Sequence, residues 1–98
     1  MIEALDDLKE KIEEYEEDGD LTQRLERGLL AKVRSARYFV RHDRNHAAAH
    51  KLEAMVHQIR ALRGKEISRP AAADLIHRAN VLIRRLSADD GDDDRDDD

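Results

Sequence analysis

Aliphatic residues recur along this chain at steps of three and four, in four separate stretches. Ile2, Leu5, Leu8, Ile12 and Tyr15 form the first, and Leu25, Leu29, Val33, Ala36 and Val40 the second. Leu52, Met55, Val56, Ile59 and Leu62 form the third; Ala72, Leu75, Ile76, Ala79, Leu82, Ile83 and Leu86 form the fourth. This spacing gathers each set on one face of an α-helix. A short helix of this kind is marginal alone and gains its stability by covering its apolar stripe with another. Four stripes therefore predict four helices around one core.

Punctuation residues set the boundaries. Helix one is expected over 2–17, with Gly19 as its stop, since glycine accepts the left-handed conformation that ends many helices. Helix two is expected over 22–42, with Thr22 as N-cap. Gly28, inside it, costs up to about 1 kcal/mol and implies close packing against a neighbour. Asp43-Arg44-Asn45 reads as a turn, with Asn45 capping helix three over 46–63, which Gly64 ends. Lys65-Glu66-Ile67 is a short link. Ser68 is an N-cap and Pro70 lies in the first turn of helix four, over 69–87, where its missing N–H does little harm. The fold class is all-α: an antiparallel four-helix bundle over residues 1–88. Residues 89–98, rich in Asp and devoid of apolar side chains, are expected to be a disordered acidic tail.

Ninety-eight residues make one domain at most, with stability on the order of 5 kcal/mol. The absence of Cys excludes a disulfide framework and a thiolate metal site, and fits a cytosolic chain or an exported Gram-positive one. No apolar run approaches the roughly 18 residues of a membrane span, so membrane insertion is not expected. The start, Met1-Ile-Glu-Ala-Leu-Asp-Asp, is acidic where a signal peptide needs positive charge. If exported, the chain is expected to be part of a longer one.

Charge is segregated. Residues 1–20 sum to −8, residues 21–86 to +10 and residues 87–98 to −7, which together give the net −5. Such segregation bears on partners more than on fold. Arg27, Arg34 and Arg41, seven apart, form one outward ridge on helix two, flanked by Leu30, Arg37 and Tyr38. Arg34–Arg37 and Arg37–Arg41 repulsion costs about 0.2–0.5 kcal/mol per pair, so something is expected to offset it. An anionic partner for Arg27, Arg34, Arg37 and Arg41 is one answer; a merely solvated face is the bland alternative. Nucleic acid is disfavoured, because aromatic rings for stacking are nearly absent and no recognised binding motif is present. Glu3, Glu10 and Glu17 make the acidic mirror image on helix one.

Candidate chemistry is sparse. His46, His50 and His57 fall on one polar face; His46 and His50, four apart, are the only pair suited to share Zn²⁺ or Ni²⁺, against a plain solvated face. Neither a resident metal nor another cofactor is expected. The Asp run lacks the ligand alternation and terminal Glu of a calcium loop. Ser35, Ser68, Ser87 and Thr22 have no His–acid partner by any geometric rationale, and Gly19, Gly28, Gly64 and Gly91 are too scattered for a phosphate loop. Carboxylates lie on exposed faces where no pKa shift is expected. An enzyme is therefore not expected.

The stretch Leu52-Glu-Ala-Met-Val-His-Gln-Ile-Arg-Ala-Leu-Arg-Gly-Lys-Glu-Ile-Ser68 resembles the central signature of the FIMAH domain. Asp18-Gly19-Asp20-Leu21 resembles its break between the first two helices, and Gly28-Leu-Leu-Ala-Lys-Val33 with Ala36 its second helix. Asn45 followed by Ala48 and Ala49 resembles its entry to helix three, and Ala73-Asp-Leu-Ile76 with Ala79 and Ile83 its last helix. The resemblance covers roughly 3–86. Met55 stands where an aromatic is usual, and Arg44 where Gly is common. The resemblance implies a non-catalytic accessory module of an exported bacterial enzyme such as a peptidase or glycosidase. It would lie outside the cell or on its surface and dock to its host enzyme domain, a cell-surface polymer or a glycan, as a monomer or with weak self-association. A free-standing intracellular polyanion binder, tuned by the acidic tail, is the alternative reading.

Overall fold

The structure, a computed structural model, describes residues 1–91, with side chains through residue 88. Four helices follow one another: α1 (Ile2–Glu17), α2 (Gln23–Arg41), α3 (Asn45–Leu62) and α4 (Arg69–Gly91). Each packs on its neighbours in the chain, and α1 closes the ring against α4. Short links make successive helices antiparallel. The α3–α4 interface is the most extensive and the α1–α4 seam the least. Among the described residues there is no named strand, and no helix is long and apolar enough to cross a membrane.

The four stripes form one core. Leu5, Leu8 and Ile12 meet Leu25, Leu29 and Val33, then Leu52, Met55 and Ile59, then Leu75, Leu82 and Leu86. Burying a large aliphatic side chain contributes about 1.5–3 kcal/mol, so these residues dominate the stability. Ala48, Ala49, Ala71, Ala72 and Ala79 are also buried, and their small side chains let α3 and α4 approach closely. Among the described residues no polar or charged residue is buried.

The helix ends follow the local chemistry, with one correction. Thr22 Oγ1 accepts from Leu25 N at 3.1 Å, and Ser68 Oγ accepts from Ala71 N at 3.3 Å, so both expected caps are present. Asn45 does not cap α3. It is the first helical residue, Arg44 holds the cap position, and no side chain caps that end. The reason lies in the preceding turn. Asp43 takes the left-handed conformation, φ 59°, while Asp43 N and Arg44 N donate to Val40 O and Phe39 O at 3.1 and 2.8 Å. This is a Schellman closure of α2 with Asp, a residue that tolerates φ > 0, in the place usual for Gly. The left-handed residue being Asp43, Arg44 is free to adopt φ −112° and lay its guanidinium over the Phe39 ring. Helix α1 ends the same way: Gly19 has φ 84°, and Asp20 N donates to Tyr15 O at 2.8 Å.

Two residues outside the periodic stripes complete the core. Leu21 and Ile67, in the α1–α2 and α3–α4 links, are 5% and 2% exposed. Thr22 N donates to Glu66 O at 2.9 Å and Ser68 N to Asp20 O at 2.8 Å, so the two links pair across one end of the bundle. The Glu66 carboxylate adds bonds from Thr22 Oγ1 at 2.8 Å and Arg24 Nη2 at 3.2 Å. Arg63 and Gly64 form a type II turn: Gly64 has φ 81° and Lys65 N donates to Leu62 O at 2.9 Å.

Helix α4 continues to Gly91, past the expected end near 87. The disorder expected for the Asp-rich tail falls, over residues 92–98, outside the described residues.

Because Ile67 is as enclosed as a mid-helix leucine, Ile67→Ala is expected to cost about 2–5 kcal/mol. Urea unfolding measures it, and a variant as stable as the parent would remove this link from the core. Gly64→Ala, forced into φ 81°, is expected to cost about 1–2 kcal/mol by the same assay.

Candidate functional site

The outer face of α2 carries the most concentrated recognition chemistry. By the helical step of about 100°, Arg27, Arg34, Tyr38 and Arg41 fall within roughly 60° of one another. All four are exposed. Tyr38 is the one large hydrophobic side chain left in solvent among the described residues, at 57% exposure. A shallow groove of about 450 Å³ runs beside it, lined by Ala31, Arg34, Ser35, Tyr38 and Phe39 from α2 and by Lys51 from α3. The Tyr38 ring is oriented by its neighbours. Phe39 meets it edge to face at 5.5 Å between centroids, and His42, one turn on, lies 4.2 Å away at a tilt of 44°. Two cations therefore flank an oriented, solvent-facing ring, a combination suited to a ligand that carries both negative charge and an apolar face.

Arg37 is placed differently from its three companions. Its Nε donates to Asp6 Oδ1 of α1 at 3.0 Å, and it is only half-exposed. The pair lies at the surface and contributes about 0–1 kcal/mol. It supplies part of the offset that the clustered arginines require. Close to the same face, Gly28 allows Gln58 of α3 to lie against the α2 backbone. A Cβ on Gly28 would meet Gln58 Nε2 at 2.7 Å, so a larger residue here requires the flexible end of Gln58 to move aside.

His46, His50 and His57 are exposed, and the His46 and His50 rings lie 5.8 Å apart at a tilt of 48°. Among the described residues no group of three or more His, Asp or Glu side chains is placed to hold an ion.

A second cleft, of about 390 Å³, follows the α1–α4 seam and is lined by Ala4, Asp7, Leu8, His77, Arg78 and Val81, among others. The same seam is pinned by a polar cluster. Asp74 Oδ2 accepts from Tyr15 Oη at 2.7 Å and from Arg78 Nε at 2.9 Å. Here the expectation of unshifted carboxylates is corrected. Burial raises the Asp74 pKa, but the bonds from Tyr15 and Arg78 outweigh it and hold the carboxyl below its usual range. Tyr15 is pushed up to about 12 by burial, then by its bond to Asp74 and the charge there. Glu26 is raised first by burial and then by Glu16 and Glu13, since the α1 C-terminus crowds acids around it. These shifts follow from structural packing, and none lies in the α2–α3 groove.

The sign of the Tyr15 effect is definite. Its folded pKa exceeds the ordinary value of 10.0, so the fold favours the neutral phenol. That stability is fully present below pH 10 and is lost as pH rises from 10 toward about 12. Asp74, shifted down, contributes stability that is present above its ordinary value and lost as pH falls through the folded one. Tyr15→Phe is expected to flatten the alkaline decline measured by urea midpoints across pH 9–12, and an unchanged slope would contradict this account.

Sequence spacing had already placed Arg27, Arg34 and Arg41 on one ridge with Tyr38 beside it. It did not show Lys51, because its place in the groove depends on how α3 packs against α2. The only signal was indirect: Lys51 precedes the buried Leu52 and so sits at the edge of the α3 stripe.

A comparison with protein families gives a match to the FIMAH domain over residues 5–84. No curated protein and no solved structure matches the chain. The match spans all four helices and both paired links. With the four-helix architecture and the central signature that runs from Leu52 to Ser68, it establishes that the chain belongs to the FIMAH domain family.

Proposed function

We propose that this domain is a non-catalytic binding module of an exported bacterial hydrolase, and that it holds its host on an acidic glycan of the cell surface. The observation that carries the reading is the α2–α3 groove, where Arg34 and Lys51 flank the exposed ring of Tyr38. Arg27 and Arg41 extend the positive face about two helical turns each way, roughly 10 Å from Arg34. A repeating anionic polymer can meet such a row, with a sugar face against the ring and acid groups on the guanidinium and ammonium groups. Long-range attraction would speed encounter, while the ring would supply register.

Three features support binding over chemistry. The family is one of small domains. The groove is shallow and open to water, which leaves charges well screened and unsuited to stabilising a transition state. The pKa shifts that the fold does produce lie away from it. The remaining faces are available to the host enzyme, as the acidic ridge of Glu3, Glu10 and Glu17 on α1 is exposed.

Titration with a soluble polyuronic acid by calorimetry tests the proposal. Affinity is expected to fall about tenfold or more between 50 and 200 mM salt if three or four cations release counterions. Arg34→Ala and Tyr38→Ala should each weaken binding about five- to fiftyfold. Arg60→Ala should leave it unchanged, because Arg60 lies about 180° from Lys51 around α3. Affinity that is flat in salt, or equal losses at Arg60 and Arg34, would overturn the assignment of the groove.

A further inference from the structure

Helices α1 and α2 lie side by side and carry opposite charge on one outer face. By the helical step of about 100°, the third of α1 opposite its buried stripe holds Glu3, Asp6, Asp7, Glu10, Glu14 and Glu17 and no base. The same third of α2 holds Arg27, Arg34 and Arg41 and no acid. Part of this charge is satisfied within the chain. Asp6 pairs with Arg37, Glu14 with Lys11 and, nearer the seam, Glu13 with Lys9. Among the described residues, Glu3, Glu10 and Glu17 on α1 and Arg27, Arg34 and Arg41 on α2 make no ion pair, and all six are exposed. The acids crowd one another instead. Glu26, on the flank of α2 that meets α1, is held above its usual value by burial and then by Glu16 and Glu13, with Arg27 opposing.

The two ridges also share a register. The bond of 3.0 Å from Arg37 Nε to Asp6 Oδ1 puts residues of the antiparallel α1 and α2 at one level where their numbers add to about 43, as 6 and 37 do. Glu3 and Arg41, Glu10 and Arg34, and Glu17 and Arg27 each add to 44, one residue or about 1.5 Å from that register. Three acids thus stand level with three guanidinium groups over about 21 Å, yet both rows point out of the same face and cannot meet.

We propose that this face binds a second copy of the chain in a two-fold dimer, with α1 of each protomer lying on α2 of the other. An axis parallel to the helices leaves every level unchanged and exchanges the two helices. Glu3, Glu10 and Glu17 of one protomer then meet Arg41, Arg34 and Arg27 of the other, and the same three pairs repeat across the axis. A second copy is the occupant that carries both ridges, at the same spacing and in the complementary order. The half-buried Leu30 lies at the seam, near the axis, and meets its own copy there. Acids beyond the ridges trim the fit at its margins: Asp18 and Asp20 follow Glu17, and Asp43, with Arg44 beside it, follows Arg41. The matched patch is about 20 Å on a side, roughly 400 Å² per copy. That is at the low end for an interface, and exposed ion pairs are weak, so the dimer is weak and sensitive to salt. It covers Arg27, Arg34 and Arg41, so an acidic polymer competes with it. The competition, though not the dimer, rests on the function proposed above.

Sedimentation equilibrium tests the dimer without any ligand. The net charge of −5 repels a second copy at long range, so the favourable condition is 50 mM salt, where screening over about 14 Å mutes distant charges and spares contact pairs. At protein concentrations on the order of 1 mM the parent chain should dimerise there, and about tenfold more weakly in 500 mM salt. Glu10→Arg and Arg34→Glu should each weaken association about tenfold or more, since each sets like charges opposite one another in both halves of the interface. Both positions are exposed, and circular dichroism checks that the fold is kept. Mixed in equal amounts, the two variants should recover the parent's association, because every facing pair is then opposite in sign. A parent that stays monomeric, or a mixture no tighter than either variant alone, would overturn the dimer. Species heavier than a dimer would overturn the two-fold geometry, since a head-to-tail contact does not close on itself. Polyuronic acid should dissociate the dimer. A dimer that ignores the polymer would keep this proposal and sink the glycan reading, whereas polymer binding by a chain that never dimerises would do the reverse.

Discussion

No helix of this domain can bury its own apolar stripe, and that constraint governs everything else. Each must hand its stripe to two neighbours, and the only arrangement that satisfies all four at once is a closed ring. The filling is almost wholly aliphatic, with alanines where α3 and α4 approach. None of the buried residues described is polar, so the charged groups among them lie at the helix seams and on the outer faces. Recognition on the outside thus follows from how the inside is filled.

The exterior has its own division of labour. Opposite charges pair on the surface: Asp6 with Arg37 across the α1–α2 seam, Glu66 of the α3–α4 link with Arg24, and Asp74 with Arg78 one turn along α4. Such exposed pairs contribute little to stability, but they fix which cations remain to meet a partner. Arg27, Arg34 and Arg41 lie on the α2 face turned away from both neighbouring helices. The chain thereby keeps an acidic α1 and a basic α2 side by side, and only one member of the arginine cluster is drawn into the seam.

Much of this was legible in the residues, for a physical reason. Periodicity at 3.6 is a property of one segment read alone, so Leu5, Leu29, Leu52 and Leu75 declared themselves, as did the caps Thr22 and Ser68. What stayed hidden depends on two segments at once. Leu21 and Ile67 are single apolar residues in short links, where no period exists to betray them. Lys51 enters the groove, Asp6 meets Arg37 and Tyr15 meets Asp74 only after the helices have docked. Asn45 looks like a cap in sequence, but the left-handed Asp43 settles where α3 begins.

The two poles of the bundle are built unequally. At one, the links bond to each other through Thr22, Glu66, Asp20 and Ser68, over a floor of Leu21 and Ile67. At the other, three residues reverse the chain between α2 and α3, and among the described residues no second link bonds to that turn. The laced pole is thus held by bonds between two links, whereas the turn at Asp43 is held by the bonds that close α2 on itself. Cross-link bonds of this kind protect amides until both links part together, so exchange at Thr22 and Ser68 is expected to be slower than in a turn closed by its own helix alone.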